Sequence, residues 1–491
     1  MAQQAQAKSS AKPKTAVTPT REENFPDWYQ GVIKAADLSE NSPVRGCMVI
    51  KPYGYALWEN IQRALDDRIK AEGVQNAYFP LLIPLSFISR EAEHIDGFAK
   101  ECAVVTHHRL EKGPDGGLIP APDSKLEEPF VIRPTSETII GDSMAKWIQS
   151  YRDLPLLLNQ WANVMRWEMR TRMFLRTAEF LWQEGHNAFA TAKEAHDDAI
   201  KMLKVYHDLY ENDLAMGGIC GEKSADERFP GADHTYTIEG MMQDGKALQL
   251  CTSHNLGQHF SKSFGIQYQG EDGQTHLCHT TSWGLTTRSI GGMIMTHADD
   301  DGMIMPPKVA PYHVAIIPIV KDDGSAVIEH CRQLAARLKA QGIKVHLDVG
   351  DARSSDKMWT AIKKGIPLRV EIGQREMDEG KLTYIRRDLG KESKMTVTGD
   401  EFCAMVQKAL DDMQAAMLKR SRDFTRANIF DMKTLGDVDA FFKEDKHGWC
   451  RIDANLAEHA EFHKLKGAHA LSQRCLPFED EGRKVLVGKS Y

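Results

Sequence analysis

Arg166 and Glu168 stand two residues apart in Arg166-Trp167-Glu168, and further arginines follow at 170, 172 and 176, before Glu179-Phe180-Leu181-Trp182. Read as two strands joined by a basic loop, the stretch Asn159 to Phe189 places Arg166 and Glu168 on one face, because strand side chains alternate. Guanidinium groups among aromatic and aliphatic neighbours are costly to bury alone and call for an anionic partner. Three other runs carry usable chemistry. Thr135-Ser136-Glu137 follows the strand-like Val131-Ile132-Arg133 and starts a helix, with Thr135 or Ser136 as N-cap. Gln249-Leu250-Cys251-Thr252-Ser253-His254 presents polar side chains after a strand. Thr281-Ser282-Trp283-Gly284-Leu285-Thr286-Thr287-Arg288 has small residues at 282 and 284, which let a ligand approach the backbone. Taken alone, His254 reads as a structural hydrogen-bonding histidine. His259, His276 and His279 receive no role.

Together these runs resemble known motifs. Arg-x-Glu, loop, then Phe174-Leu175-Arg176-Thr177-x-Glu179-Phe180 is similar to motif 2 of the class II aminoacyl-tRNA synthetases. The continuation Leu181-Trp182-Gln183-Glu184-Gly185-His186 resembles the version of that motif in the prolyl-tRNA synthetase family. Thr280 to Pro307 resembles motif 3. The helix Tyr55 to Gly73, with Leu57, Ile61, Leu65 and Ile69 on one face, precedes a strand-like Val74 to Pro84. That pair resembles motif 1, the dimer-forming element.

The resemblance implies a proline--tRNA ligase reaction, in which L-proline and ATP give prolyl-adenylate and pyrophosphate and proline is then passed to tRNA(Pro). Neither a G-x-x-x-x-G-K-[ST] nor a G-x-G-x-x-G string occurs, so ATP has to be held by arginines and an aromatic platform. By resemblance Arg166 and Arg288 are catalytic. Arg166 bridges the proline carboxylate and the α-phosphate, Glu168 holds the adenine amino group, and Phe180 and Arg288 sandwich the ring. Arg176 binds the outer phosphates together with Mg²⁺, and Thr177, Gln249, Thr252 and Thr286 complete the ATP set. The proline site implied is Thr135, Glu137, Arg166, Trp182, Glu184, His186, Phe189, His254 and Ser282, with Glu137 as counter-charge to the secondary ammonium. The sister enzymes for threonine, histidine and glycine fit the Trp182-x-Glu184-Gly185-His186 run less well. A catalytically inactive tRNA-binding or regulatory paralogue would be expected to lose Arg166, Arg176 or Arg288.

The elements that must position these residues follow from the rest of the chain. With 491 residues, 42% hydrophobic and 27% charged, several domains of an ordinary globular protein are expected. No apolar run is long enough to span a membrane. Nine scattered cysteines without a C-x-x-C pair suggest reduced thiols and a cytoplasmic location. The net charge of −7 gives no global sign of nucleic-acid binding but leaves room for a basic patch. The expected fold is α/β (α+β). Residues 1–20 form a disordered tail, 21–305 an antiparallel-sheet catalytic domain, 306–415 an α/β anticodon-binding domain and 416–491 a small C-terminal α+β domain.

The Pro-rich Met305 to Pro311 marks the first boundary. Beyond it, strands His313–Val320, Lys344–Asp348, Leu368–Ile372 and Leu382–Arg386 alternate with helices Ser325–Gln341 and Ser355–Lys364. This segment offers Lys363, Lys364, Arg369, Arg375, Arg386 and Arg387 to RNA. A linking helix, Asp400–Lys419, follows. The interval Ala190 to Gly245 holds a helix, Lys193–Met216, and a Gly/Asp-rich turn region, too short for an editing insertion. With the C-terminal appendix, this resembles the archaeal/eukaryotic-like group of the family. Relatives in that group often hold a four-cysteine structural zinc. Here Cys450 and Cys475 remain, with only His459, His463 and His469 nearby, so no structural zinc is expected. Phe441, Phe442, Trp449, Leu465, Leu471, Leu476 and Phe478 are expected to hold that domain instead.

Overall fold

The computed structural model describes residues 15–90, 101–320 and 324–491. Residues 1–14 of the expected tail lie outside the described residues, whereas Val17 is buried and its N–H donates to the Asp300 carbonyl at 2.8 Å. The chain divides into two compact units. One gathers Met1–Leu38, His297–Met305 and Tyr312–Val406; the other gathers Ser39–Thr296, Pro306–Pro311 and Gln407–Tyr491.

The larger unit is built on an 11-stranded sheet. Nine of its strands are β1 (Leu156–Met165), β2 (Glu179–Phe189), β3 (Gly218–Glu222), β4 (His234–Met241), β5 (Ala247–Gly257), β6 (His279–Thr286), β7 (Trp449–Asp453), β8 (Ser472–Pro477) and β9 (Lys484–Gly488). Their spatial order is β7-β9-β8-β3-β4-β5-β6-β2-β1, flanked by Ile429–Asp431 and Gln75–Asn76. All neighbours among the nine are antiparallel. One face is covered by α1 (Ala192–Asn212), whose N-terminus is closed by a Thr191/Glu194 capping box. Tyr206 donates to Gln183 at 2.5 Å, Ser253 donates to the Ala199 carbonyl at 2.7 Å, and Asp198 accepts from Asn187 and Thr281 at 2.9 and 2.7 Å. Gly185 is required on this face: a Cβ there would lie 2.1 Å from the buried Trp283 indole. The helix covers one face and leaves the other to a ligand.

Several expectations are corrected. Val74–Pro84 is not one strand; only Gln75–Asn76 and Leu82–Pro84 pair. Between them the backbone bonds to side chains, with the Phe79 N–H donating to Gln160 at 2.6 Å and Arg133 donating to the Phe79 carbonyl at 2.7 Å. Gln249–His254 lies within β5, not after a strand. The C-terminal strands extend the catalytic sheet, since Gly221 and Glu222 of β3 pair with Pro477 and Leu476 of β8. The linking helix runs Gly399–Ala427, longer than expected, and the apolar stripe Leu410, Met413 and Met417 is buried. Phe441, Phe442, Trp449 and Leu471 are buried and Leu465 and Leu476 partly so, but Phe478 is 40% exposed. Cys450 and Cys475 sit on β7 and β8, in two different apolar clusters, and His469 is bonded to Asp439 at 2.8 Å. Among the described residues no group of three or more His, Cys, Asp or Glu is placed to hold a metal.

The smaller unit contains a five-stranded sheet ordered Val345–Leu347, Val314–Ile319, Leu368–Gly373, Lys381–Arg386, Met395–Thr398, with helices Ser325–Ala340 and Ser354–Lys363. Val327, Cys331, Leu334 and Leu338 are buried in its core, and Ile328 is half-buried. Four of its candidate RNA-binding arginines are paired with acids: Arg369 with Glu371, Arg375 with Glu379, Arg386 with Asp388 and Arg387 with Asp299.

Candidate active site

Register assembles the site. On the face away from α1, β2 contributes Phe180, Trp182, Glu184 and His186, whose partners on β6 are Thr286, Gly284 and Ser282 for the last three. On β5, Thr252 and His254 pair with Gly284 and Ser282, and on β4, Thr235 pairs with His254. Strand alternation therefore lines up one polar and aromatic floor. Above it lies a cavity of ≈ 630 Å³ lined by sixteen of the seventeen expected site residues: Thr135, Glu137, Arg166, Glu168, Arg176, Thr177, Phe180, Trp182, Glu184, His186, Gln249, Thr252, His254, Ser282, Thr286 and Arg288. Phe189 is the exception. It is an odd number of residues from Trp182, so alternation turns it to the opposite face, where it is buried.

The arginine loop also differs from a plain hairpin. β1 ends at Met165, so Arg166 and Glu168 are not strand residues. Arg166 is held by its N–H on the Ala178 carbonyl at 2.8 Å and by Nε on the Pro134 carbonyl at 3.0 Å. Arg172 and Arg176 exchange backbone bonds across a tight turn in which the buried Phe174 has φ 61°, a conformation a bulky residue adopts only under tertiary constraint. Arg170 and Arg176 are exposed on the loop, and Arg176 reaches Glu168 at 3.5 Å.

Electrostatics separates two ends. Arg166 lies 5.5 Å over the Phe180 ring and 5.6 Å over Trp182. Burial brings its pKa down to about 10, opposed by Glu137 and Glu184 and assisted by Arg288. Arg288 donates to the Leu175 carbonyl at 3.2 Å, and burial together with Arg176 lowers its pKa. Two crowded cations at one end of a cavity are matched to an anion.

At the other end the fully buried Glu184 accepts from Ser136 at 2.5 Å and Gln160 at 2.9 Å and meets His186 at 2.9 Å. Burial works to raise the Glu184 pKa, but His186, Ser136 and Gln160 outweigh it and hold it low. Burial likewise works against charge on His186, and Glu184 overcomes it and raises the His186 pKa. Burial, with His186 nearby, pushes His254 down to about 3, so it is neutral and shares a 3.0 Å hydrogen bond with Thr235. Thr135 donates to Glu137. Ser136 stands at the helix N-cap position but spends its hydroxyl on Glu184, and no side-chain cap forms.

The family model described as tRNA synthetase class II core domain (G, H, P, S and T) matches residues 121–297, and the anticodon binding domain matches 313–409. A protein of Bdellovibrio bacteriovorus named proline--tRNA ligase is 51% identical, the match covering 97% of both chains. One of Rhodopirellula baltica is 51% identical over 98% of this chain and 96% of its own, and one of Paramagnetospirillum magneticum 53% identical over 97% of each; both bear the same name. The chain belongs to the proline--tRNA ligase family of class II aminoacyl-tRNA synthetases.

The core-domain description alone leaves glycine, histidine, serine and threonine enzymes open, and the near full-length relatives narrow it to the proline--tRNA ligases. For a proline--tRNA ligase site, sequence reasoning missed several cavity residues. Glu227-Arg228-Phe229-Pro230, passed over as part of a turn region, lines the cavity, and the Phe229 ring lies 4.6 Å from His254. Thr235 was legible only through its register opposite His254. Gln160 and the fully buried Arg133, which hold Glu184 and the Phe79 backbone, carry no local sequence signal.

Proposed function

We propose that this cavity activates L-proline with ATP and transfers it to tRNA(Pro). The observation that carries the reading is a single cavity in which the loop and helix arginines 166, 176 and 288 stand beside an acidic, histidine-containing sheet face. A proline carboxylate oxygen attacks the α-phosphorus of ATP and pyrophosphate leaves. In the second step a ribose hydroxyl of the terminal tRNA adenosine attacks the adenylate carbonyl and AMP leaves. The first step joins two anions, so the site's task is to neutralise and align them without water. Arg166, between the two ends, takes the carboxylate and the α-phosphate. Glu137 balances the secondary ammonium, and the aromatic body of Trp182 with Ser282 and His254 shapes the ring pocket. Glu184 is already engaged, so it fixes His186 and Ser136 instead of meeting substrate itself. Phe180 and Arg288 hold the adenine, Glu168 its amino group, and Arg176 the outer phosphates. The attacking carboxylate is already ionised and needs no general base.

Among the described residues no three acidic, histidine or cysteine side chains are placed to hold a metal, and Mg²⁺ fits as an ion brought on the triphosphate, with Gln249 and Thr252 as the hard oxygen donors that would hold it. Bound there it would neutralise phosphate charge. The reading assigns residues 21–305 to catalysis, 306–415 to the anticodon, 416–491 to a C-terminal domain, and a homodimer contact to the region of helix Pro52–Ala71 and the segment after it. No helix among the described residues is long and apolar enough to cross a membrane, and the reading places the enzyme in the cytoplasm. Pyrophosphate exchange measured with each of the twenty amino acids tests it. Exchange is expected with proline far above the others; its absence with proline, or a stronger response to threonine, histidine or glycine, would overturn the assignment.

A further inference from the structure

The sheet face that floors the cavity continues past it. Opposite Gln249 on β5 stands Glu239 on β4; counting by twos from Thr235 keeps Glu239 on the cavity side, and a bulge beside Ile238 and Glu239 brings Gln249, three residues from Thr252, into the cavity lining. Glu239 is fully buried; burial works to raise its pKa, but Lys223 and Arg474 outweigh it and hold it low. Lys223, just beyond β3, donates to one carboxylate oxygen at 2.8 Å, and Thr237 donates to the same oxygen at 2.9 Å. Arg474, on the C-terminal strand β8, forks onto the other oxygen with Nε at 3.0 Å and Nη2 at 2.6 Å. Lys223 and Arg474 are themselves buried. One carboxylate thus faces two cationic side chains, buried beside the strand that presents Gln249 and Thr252. Arg288 lies within the field of this cluster: behind the larger effects of burial, Arg176 and Tyr210, Glu239 favours its charge and Arg474, more weakly, opposes it.

A buried ion cluster is a poor way to add stability, because apolar replacements of similar volume commonly do as well or better. A mere cross-link between β4 and β8 would need a single cation. The second cation, and the place opposite Gln249, point to the phosphates that Arg176 awaits. We propose that Arg474, acting through Glu239, is a positioning residue of the nucleotide site: a C-terminal side chain that fixes the β4–β5 edge and supplies positive potential beneath the triphosphate. The inference rests on the reading of the cavity as an ATP site.

The test uses the full-length chain with R474M, R474K and K223M. Pyrophosphate exchange gives KM for ATP and for proline, and equilibrium binding of ATP alone gives its affinity. R474M is expected to raise KM and Kd for ATP by about three- to tenfold, the range of a coupling residue that touches no ligand. KM for proline should change by less than about twofold. R474K, which keeps the charge, should recover most of the loss. K223M removes the same charge from the other side of Glu239 and serves if R474M does not fold. An unchanged ATP affinity in a folded R474M or K223M, an equal rise in both KM values, or an R474K as impaired as R474M would each sink the proposal. Wild-type protein that binds ATP without proline-dependent exchange would count against the parent reading and leave the ATP comparison between variants standing.

Discussion

Arg166 draws its chemical character from its neighbours. The Nε contact to the Pro134 carbonyl and two aromatic rings fix its plane, and burial makes its charge expensive until an anion arrives. Arg166→Ala should therefore cost about 2.7–4 kcal/mol of transition-state stabilisation, a fall of roughly 10²- to 10³-fold in exchange at saturating ATP. The far-UV spectrum and melting temperature should stay close to those of the parent. Near-normal exchange in that folded variant would remove Arg166 from the mechanism. The Glu184–His186 pair permits a pH prediction with a definite sign. The folded His186 pKa is raised above 6.5, so its contribution to stability is full below pH 6.5 and is lost as pH rises through the raised value. The folded Glu184 pKa is depressed below 4.5, so its contribution is present above pH 4.5 and is lost as pH falls through the depressed value. The stability gap between the native protein and Glu184→Gln is accordingly widest between these ordinary values and narrows toward alkaline pH. Urea unfolding across pH measures it, and a gap that widens on the alkaline side would exclude the ion pair.

The sheet that bears these residues depends on a glycine at one point of close contact. Gly185 lies mid-strand on β2 with the Trp283 indole against its Cα, and both are on the α1 side. Gly185→Ala should destabilise by about 1–3 kcal/mol through overpacking. Pairing it with Trp283→Leu should return part of that loss, since contacting residues are not additive. A chemical-denaturation cycle reads the coupling, and strict additivity would show that the two do not share the space. Elements with their own periodicity were legible in the chain: the four-residue stripe gave the helix Pro52–Ala71, and the alternating segments after Pro311 gave four strands and two helices to within a residue, though not the strand Met395–Thr398 or the short helix Gln374–Asp378. What escaped was set by tertiary partners. Val74–Pro84 reads as a strand, yet Pro80 has no N–H to give and the side chains of Gln160 and Arg133 take the place of a ladder. The basic loop around Phe174 reads only as a connection between two strands, yet Arg172 and Arg176 close a turn within it that holds a left-handed residue. Phe189 was assigned to the pocket by resemblance, although counting by twos from Trp182 already turned it away. Arg474 lies more than two hundred residues from its partner Glu239, and no local pattern joins them.

For the molecule as a whole, the consequence lies in what stands between the two halves of the site. From the end of β2 to the start of β5 the chain forms α1, β3, β4 and their connections, all of which belong to the sheet or its cover. No separate body is inserted there to hydrolyse a mischarged product. With no such body in that interval, discrimination against alanine is expected to come from the proline pocket. Alanine lacks two ring methylenes of proline, and a hydrophobic pocket gains only about 1–3 kcal/mol from each. Rejection should thus reach roughly two to four orders of magnitude in kcat/KM, short of what an additional hydrolytic step would add. Alanine-dependent pyrophosphate exchange is expected to be measurable at high alanine concentration. Preformed Ala-tRNA(Pro) should decay in the presence of the purified protein no faster than in buffer. The two measurements separate the causes: undetectable alanine exchange would mean the pocket is more selective than methylene contacts allow, whereas rapid deacylation would reveal a hydrolytic site elsewhere in the chain.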